Sequence, residues 1–352
     1  MRITVNNSVD VRHGEPKFSA PTYQHLVAGS EIEVDNKMYP GDQKNGISTW
    51  YKDAADNYYW SGDLSPDDGS DLLYPGWMVE LKIPEIWKYS TGKDVGVAVV
   101  DTGVDINNKD LPYNKDKYYV YDSNHTLEDK DGHGTHCLGL IGARNNSGHK
   151  IGIAPECNLF VCKISEKSNF TEQQAKRYAD AINWCSGQDD IHVISISWSS
   201  FITDKKTIAA IQIAIDLAIK RKKVVVCAMG NASHFNDPGP IYPAMLNNTI
   251  GIGSIPVDNI LYPYINRSLT TATQGVKIES YGLNKQLIRL TGTSQSNAIL
   301  AGLVSLLIKK NDFKYTPDEI RDILMKSSDP VIYNKVIIPV IRGDMILKYF
   351  QI

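Results

Sequence analysis

The hydrophobic pattern changes character along the chain. Over residues 1–62 apolar positions come in short pieces between turn residues, at Asn6-Asn7, His13-Gly14-Glu15-Pro16, Gly29-Ser30, Pro40-Gly41-Asp42 and Asn45-Gly46. Glu31–Val34 alternates charged and apolar, and Trp50-Tyr51 and Tyr58-Tyr59-Trp60 are aromatic. Short strands broken by turns about every ten residues predict a small all-β barrel or sandwich. Residues 63–76, rich in Asp, Ser, Pro and Gly, read as a linker. From residue 77 the period changes. Val95–Val100 is a continuous apolar run with four valines, suited to a strand buried on both faces. Strands over 158–164, 191–197, 223–228 and 249–255 alternate with helices over 134–143, 171–187, 205–221 and 294–310. Thr316-Pro317-Asp318-Glu319 starts a last helix, with Thr as cap, Pro in the first turn and Glu three residues on. This alternation predicts an α/β domain over 77–352 with a doubly wound, mostly parallel sheet, preceded by the small all-β domain over 1–62. A parallel sheet gathers its site at the carboxyl ends of its strands.

Composition sharpens the boundary. Residues 1–73 carry 6 Lys+Arg and 12 Asp+Glu, a net −6, whereas the rest carries 31 and 28, a net +3. The whole chain of 352 residues sums to −3, so no basic field points to nucleic acid. The longest apolar run, Ala298–Ile308, is shorter than the roughly 20 residues that span a bilayer. Five cysteines, all outside the acidic first 73 residues and without a C-x-x-C pair, read as free buried thiols rather than a disulfide or zinc framework. The first residues hold no apolar leader core. The expected location is therefore the cytoplasm, with leaderless secretion as the alternative.

Candidate chemistry sits where the sheet predicts it. The run Val97–Val100 ends in Asp101-Thr102-Gly103. Asp131-Gly132-His133-Gly134-Thr135-His136 leads into an apolar helix, with glycines that let the backbone turn sharply and approach closely. Asp131, His133 and His136 are also a metal-ligand set on paper, though without a second half. Val224–Ala228 ends in Met229-Gly230-Asn231, whose side-chain amide can donate to a developing oxyanion. Thr293-Ser294 opens the long helix, where free backbone N–H groups and the helix dipole stabilise negative charge on an oxygen. Asp, His and Ser follow in that order, 32 and 161 residues apart. Serine attack needs a base to take the proton, a carboxylate to orient the base and a donor at the oxyanion. Each component is present.

These strings resemble the subtilisin-like serine peptidases: Val97–Asp105, Asp131–Gly139, Ile153–Pro155, Val193–Ser197, Met229–Asn231 and Gly292–Ser294. The resemblance runs from about 77 to 330. It implies Asp101 as orienting carboxylate, His133 as general base, Ser294 as nucleophile, and Asn231 with the Ser294 N–H as oxyanion hole. It further implies that Ser197, Trp198 and Ser199 pair with an extended protein or peptide substrate beside Gly230. A peptide ligase using the same triad and a peptide-binding pseudoenzyme remain the alternatives. The chemistry implied needs no cofactor, and the family's calcium loop is matched by Asp110 and Asn146, against the alternative of an empty polar loop.

The chain departs from the family pattern after the nucleophile. Gln295 stands where an oxidisable Met is usual, and Ala298 where a Pro is usual. Ile241, before Tyr242-Pro243, stands where the pocket floor is commonly Gly, which implies smaller side chains before the scissile bond. Residues 1–62 resemble a bacterial SH3-type domain in Ser8–Gly14, Val27–Val34, Thr49–Lys52 and Tyr58–Gly62. That resemblance implies a targeting or regulatory role, with a peptide or cell-wall ligand. A stabilising cap on the peptidase is the alternative.

Overall fold

The structure, a computed structural model, describes residues 2–5, 8–27, 30–35, 37–44, 47–66, 74–144, 151–168, 174–231, 241–255, 269–333 and 336–351. The chain divides into two units, one reaching Glu80 and one starting at Leu81.

The strands described in the first unit all pair antiparallel: β1 (Arg2–Val5), β2 (Ser8–His13), β3 (Thr22–Val27), β4 (Glu31–Glu33), β5 (Tyr39–Lys44), β6 (Ile47–Lys52), β7 (Asn57–Trp60) and β8 (Leu64–Pro66), with a short helix at Gly76–Glu80 after them. They form sheets β4-β1-β8 and β3-β2-β7-β6-β5. The period of two divides the aromatics between two clusters. Tyr51 and Tyr59 join Ile3, Val5, Val9 and Val11, whereas Trp50, Tyr58 and Trp60 face Phe18 and Tyr39. The Asp53 carboxylate sets the β6–β7 turn by accepting from the Ala55 and Asn57 N–H groups and the Tyr59 hydroxyl. Leu64–Pro66, expected in the linker, pairs instead with β1.

The second unit contains β9 (Gly96–Asp101), β10 (Tyr119–Val120), β11 (Asn158–Lys163), β12 (Val193–Ile196), β13 (Ser200–Phe201), β14 (Val224–Ala228), β15 (Ile241–Tyr242), β16 (Ile250–Ile255), β17 (Leu269–Gln274), β18 (Ile278–Tyr281), β19 (Leu287–Leu290), β20 (Ser328–Tyr333) and β21 (Val336–Ile341). The main sheet runs β10-β11-β9-β12-β14-β16-β17-β21-β20 and is parallel except for the β20–β21 hairpin at its edge. Its central strands are buried along their whole length, as their apolar runs require. Each fully buried Val or Ile there contributes about 1.5–3 kcal/mol.

Helices cover both faces of this sheet. Ala98, Val100, Ile194 and Ile196 pack with residues of α2 (Lys176–Ser186) and α3 (Lys205–Lys220). The alternate positions face α1 (His133–Gly142) and α4 (Thr293–Lys310), as the bond from Asn297 to Ser195 shows. Helix α4 is buried from Thr293 to Ile308, so it is enclosed on every side rather than amphipathic, with its buried polar residues gathered mostly in the first two turns. Helix α5 (Pro317–Lys326) carries the expected capping box, with Thr316 and Glu319 bonded reciprocally. Among the described residues no helix is long and apolar enough to cross a membrane.

Candidate active site

Asp101 is the last residue of β9 and is 1% exposed. One of its oxygens accepts the Thr102 N–H, which turns the chain out of the sheet, and the same oxygen accepts from His133 Nδ1 at 2.8 Å. His133 is the first residue of α1. The turn before it needs Gly132, whose φ of 97° is left-handed. It also needs Gly134, where a Cβ would come within 2.5 Å of the Gly103 carbonyl oxygen. The Gly134 N–H donates to Thr102 Oγ1 at 2.9 Å, so the start of α1 is pressed onto the end of β9. Trp198 meets the imidazole edge to face, with ring centres 5.9 Å apart.

The turn is held by a residue that sequence reasoning missed. Buried Asp129 accepts the N–H groups of Asp131, Gly132 and Thr135 and the Thr135 hydroxyl, all within 2.6–3.0 Å. Burial pushes its pKa up, but these bonds outweigh burial and hold it below the usual carboxylate value. Asp131, which the sequence singled out, takes the Ser168 N–H and hydroxyl instead. Only the three acids Glu128, Asp129 and Asp131 around Lys130 pointed there, and such a cluster does not say which carboxylate turns inward.

Burial alone lowers the His133 pKa, but the negative charge of Asp101 and its hydrogen bond more than reverse this, with Asp131 and Asp129 adding to the rise. The imidazole is therefore raised above its usual value while Nε2 keeps a lone pair for a proton. His136 behaves oppositely. Burial, and then the charge of His133, pulls its pKa down to about 4, and its Nε2 lies 3.1 Å from the Ile278 carbonyl. The metal grouping of Asp131, His133 and His136 is not formed among the described residues. The ligand-type atoms that do converge belong to Asp101, His133 and Cys137. Cys137 is fully buried, and burial followed by the Asp101 charge pushes its thiol well up, which keeps it protonated.

Ser294 lies in the first turn of α4, and its hydroxyl donates to the Ser197 carbonyl at 2.8 Å. Asn231 follows β14. Its Oδ1 accepts the Thr293 N–H at 3.0 Å, which fixes the amide with Nδ2 beside Gly292. The Gly230 N–H donates to Thr293 Oγ1 at 3.0 Å, so the end of β14 and the start of α4 are clasped together. Asn297, also missed from sequence, donates from Nδ2 to Ser195 Oγ at 2.9 Å and Ser197 Oγ at 3.2 Å. Ser199, Gly230 and Ile241 converge: a Cβ on Gly230 would lie 2.6 Å from Ser199 Oγ and 3.4 Å from Ile241 Cδ1.

Asp110 is buried away from this group, and its carboxylate accepts the Tyr281 hydroxyl at 2.7 Å. Asn146 lies outside the described residues. Calcium takes six to eight oxygens, and of the two expected ligands only Asp110 lies among the described residues.

Residues 92–337 match the profile of the subtilase family. The chain belongs to the subtilase family of serine peptidases. This subtilase is 32% identical over 238 residues to the major intracellular serine protease of Bacillus subtilis (strain 168), covering 64% of this chain and 72% of that one. It is 30% identical over 224 residues to subtilisin Savinase of Lederbergia lenta, covering 63% and 78%. Against subtilisin NAT of Bacillus subtilis subsp. natto the identity is 28%, and the matched part spans 63% of that protein. Among solved structures, MycP1 from Mycobacterium smegmatis superposes with a TM-score of 0.67 at 22% identity, over 80% of this subtilase and 86% of MycP1. That likeness speaks for the fold alone.

Proposed function

We propose that this subtilase is an endopeptidase that cleaves extended protein segments through Asp101, His133 and Ser294. The bond from His133 Nδ1 to buried Asp101 carries this reading, because it leaves Nε2 as the only site for an incoming proton. Substrate pairs along Ser197, Trp198 and Ser199, which favours backbone over side-chain recognition. The Ser294 hydroxyl turns from the Ser197 carbonyl to His133, gives up its proton to Nε2, and attacks the scissile carbonyl carbon. The oxyanion is met by Asn231 Nδ2 and the Ser294 N–H, at the positive end of α4. His133 then passes its proton to the leaving amine, and water repeats the steps to release the acyl group. Asp101 stays ionised throughout and stabilises the imidazolium. Gly230 and Ile241 bound the pocket for the residue before the scissile bond, and Ile241 restricts it to small side chains.

The test is cleavage of an unstructured protein such as casein, with products read by mass spectrometry. Internal cuts by the wild type and none by Ser294→Ala support the reading. Cuts that persist in Ser294→Ala refute it.

The domain reading places an SH3-type targeting or regulatory domain over 1–62 before the peptidase domain over 77–352. Its antiparallel sheets and two aromatic clusters support that reading. Deleting 1–62 should redirect or deregulate cleavage without abolishing the labelling of Ser294. Calcium at Asp110 and Asn146 is tested by melting the protein with calcium and with a chelator. The five buried free thiols support a cytoplasmic location, which cell fractionation checks.

A further inference from the structure

Two of the five cysteines lie in sulfur–sulfur contact. Cys162 on β11 and Cys185 on α2 are both fully buried, with Sγ atoms 3.4 Å apart. A disulfide needs about 2.05 Å, so closure takes about 1.4 Å of approach shared by two side chains. The other cysteines have different neighbours. Cys137 faces Asp101 and Ser197, Cys157 packs under Gly142, and Cys227 lies within β14.

The position of the pair gives the contact a consequence. In the sheet Cys162 pairs with Val100, and the next residue, Lys163, pairs with Asp101. The chain then leaves the sheet. Ile164 donates its N–H to the Asp101 carbonyl at 2.9 Å, and Ser168 bonds Asp131 beside the His133 turn. Arg177, near the start of α2, donates back to the Ile164 carbonyl at 2.8 Å. The excursion that leaves the core after Ile164 therefore meets Asp131 beside the His133 turn at Ser168 and is back in the core by Ala175, ahead of Cys185 on α2.

We propose that Cys162 and Cys185 are a disulfide-forming pair that reversibly staples β11 to α2 at the base of this excursion. The oxidant is a low-molecular-weight disulfide. One protein thiolate attacks a sulfur of the oxidant and expels one small thiolate, leaving a mixed disulfide. The second protein thiolate attacks the protein sulfur of that bond and expels the other small thiolate. Two electrons pass to the oxidant, and the two protons given up by the cysteines end on its two thiols. Burial pushes the Cys162 thiol well up, so attack waits for local opening of α2. Once formed, the bond restricts the unfolded chain across a separation of 23 residues and raises stability.

The test uses the full chain as Ser294→Ala, to prevent self-digestion, incubated with oxidised glutathione with and without sub-denaturing urea. The protein is then denatured, alkylated, weighed and mapped. The expected result is that two of the five thiols escape alkylation, faster in urea, within a peptide pair joining Cys162 to Cys185. The melting temperature rises, and dithiothreitol reverses the rise. Adding Cys162→Ala or Cys185→Ala abolishes the link, and adding Cys227→Ala leaves it. Five alkylated thiols under both conditions overturn the proposal. So does a link through Cys137, Cys157 or Cys227, a stable glutathione adduct without a link, or a link without a higher melting temperature.

Discussion

The Ser294 hydroxyl donates to the Ser197 carbonyl oxygen at 2.8 Å, and among the described residues it makes no hydrogen bond to His133. The proposed nucleophile and the segment proposed to bind substrate are thus joined before substrate arrives. Asn297 strengthens the link by holding Ser197 Oγ from one turn further along α4. Asn297→Ala should loosen Ser197 and misplace the hydroxyl, lowering kcat by about 10- to 100-fold. Steady-state kinetics on one peptide substrate checks this. An unchanged kcat refutes the role of Asn297.

The His133 pKa is raised, and as the proposed base it must be neutral to act. The groups facing it are Asp101, Asp129, Asp131, His136 and Cys137. Activity should therefore fall as pH drops through a value above the ordinary imidazole pKa of about 6.5. The stability contribution has the opposite sense: it is complete below about 6.5 and is lost as pH rises through the raised value. Asp101→Asn should move the acid limb of kcat/KM to lower pH and cut kcat by about 10⁴-fold. A pH–rate profile that does not move contradicts the pairing.

Asp129 has the reverse sign. Its folded pKa is depressed, so its contribution to stability is present above the usual carboxylate value and is lost as pH falls through the depressed one. Asp129→Asn should cost about 1–3 kcal/mol at neutral pH, because a buried group keeps only part of its hydrogen bonding. Denaturant unfolding at pH 7 and pH 3 checks both, since the difference between wild type and variant should shrink at pH 3.

Ile241 is 3% exposed and touches the Gly230 position. Ile241→Gly should open the pocket and raise kcat/KM for Phe or Tyr before the scissile bond by at least about tenfold relative to Ala. A peptide library read with both proteins measures the shift, and a wild type that already prefers Phe or Tyr contradicts the account.

Gln295 is 2% exposed directly after Ser294, the proposed nucleophile. An amide there offers no thioether to peroxide, so activity should survive peroxide treatment, and Gln295→Met should become sensitive. Equal loss in both proteins counts against this.

Legibility in the sequence followed local chemistry. The end of β9, the turn before α1, the end of β14 and the start of α4 are each marked by glycine beside a polar residue after or before an apolar run. Asp101, His133, Asn231 and Ser294 stand there. Strand β17, Leu-Thr-Thr-Ala-Thr-Gln, escaped notice because buried threonines look polar in sequence. The β20–β21 hairpin escaped because Pro330 and Pro339, which face each other across it, argue against strand, although Pro330 stands on the edge strand, where proline is tolerated. Asp129 and Asn297 escaped because their roles depend on which backbone groups tertiary packing brings to them. Helix α2 was expected over 171–187 and is observed at Lys176–Ser186, while 169–173 lie outside the described residues.

The most direct test of the central claim is covalent labelling with a fluorophosphonate, read by intact mass and peptide mapping. The account predicts one adduct per wild-type chain, located on Ser294, greatly slowed in His133→Ala and absent in Ser294→Ala. An adduct on another residue, or labelling undiminished in Ser294→Ala, contradicts it.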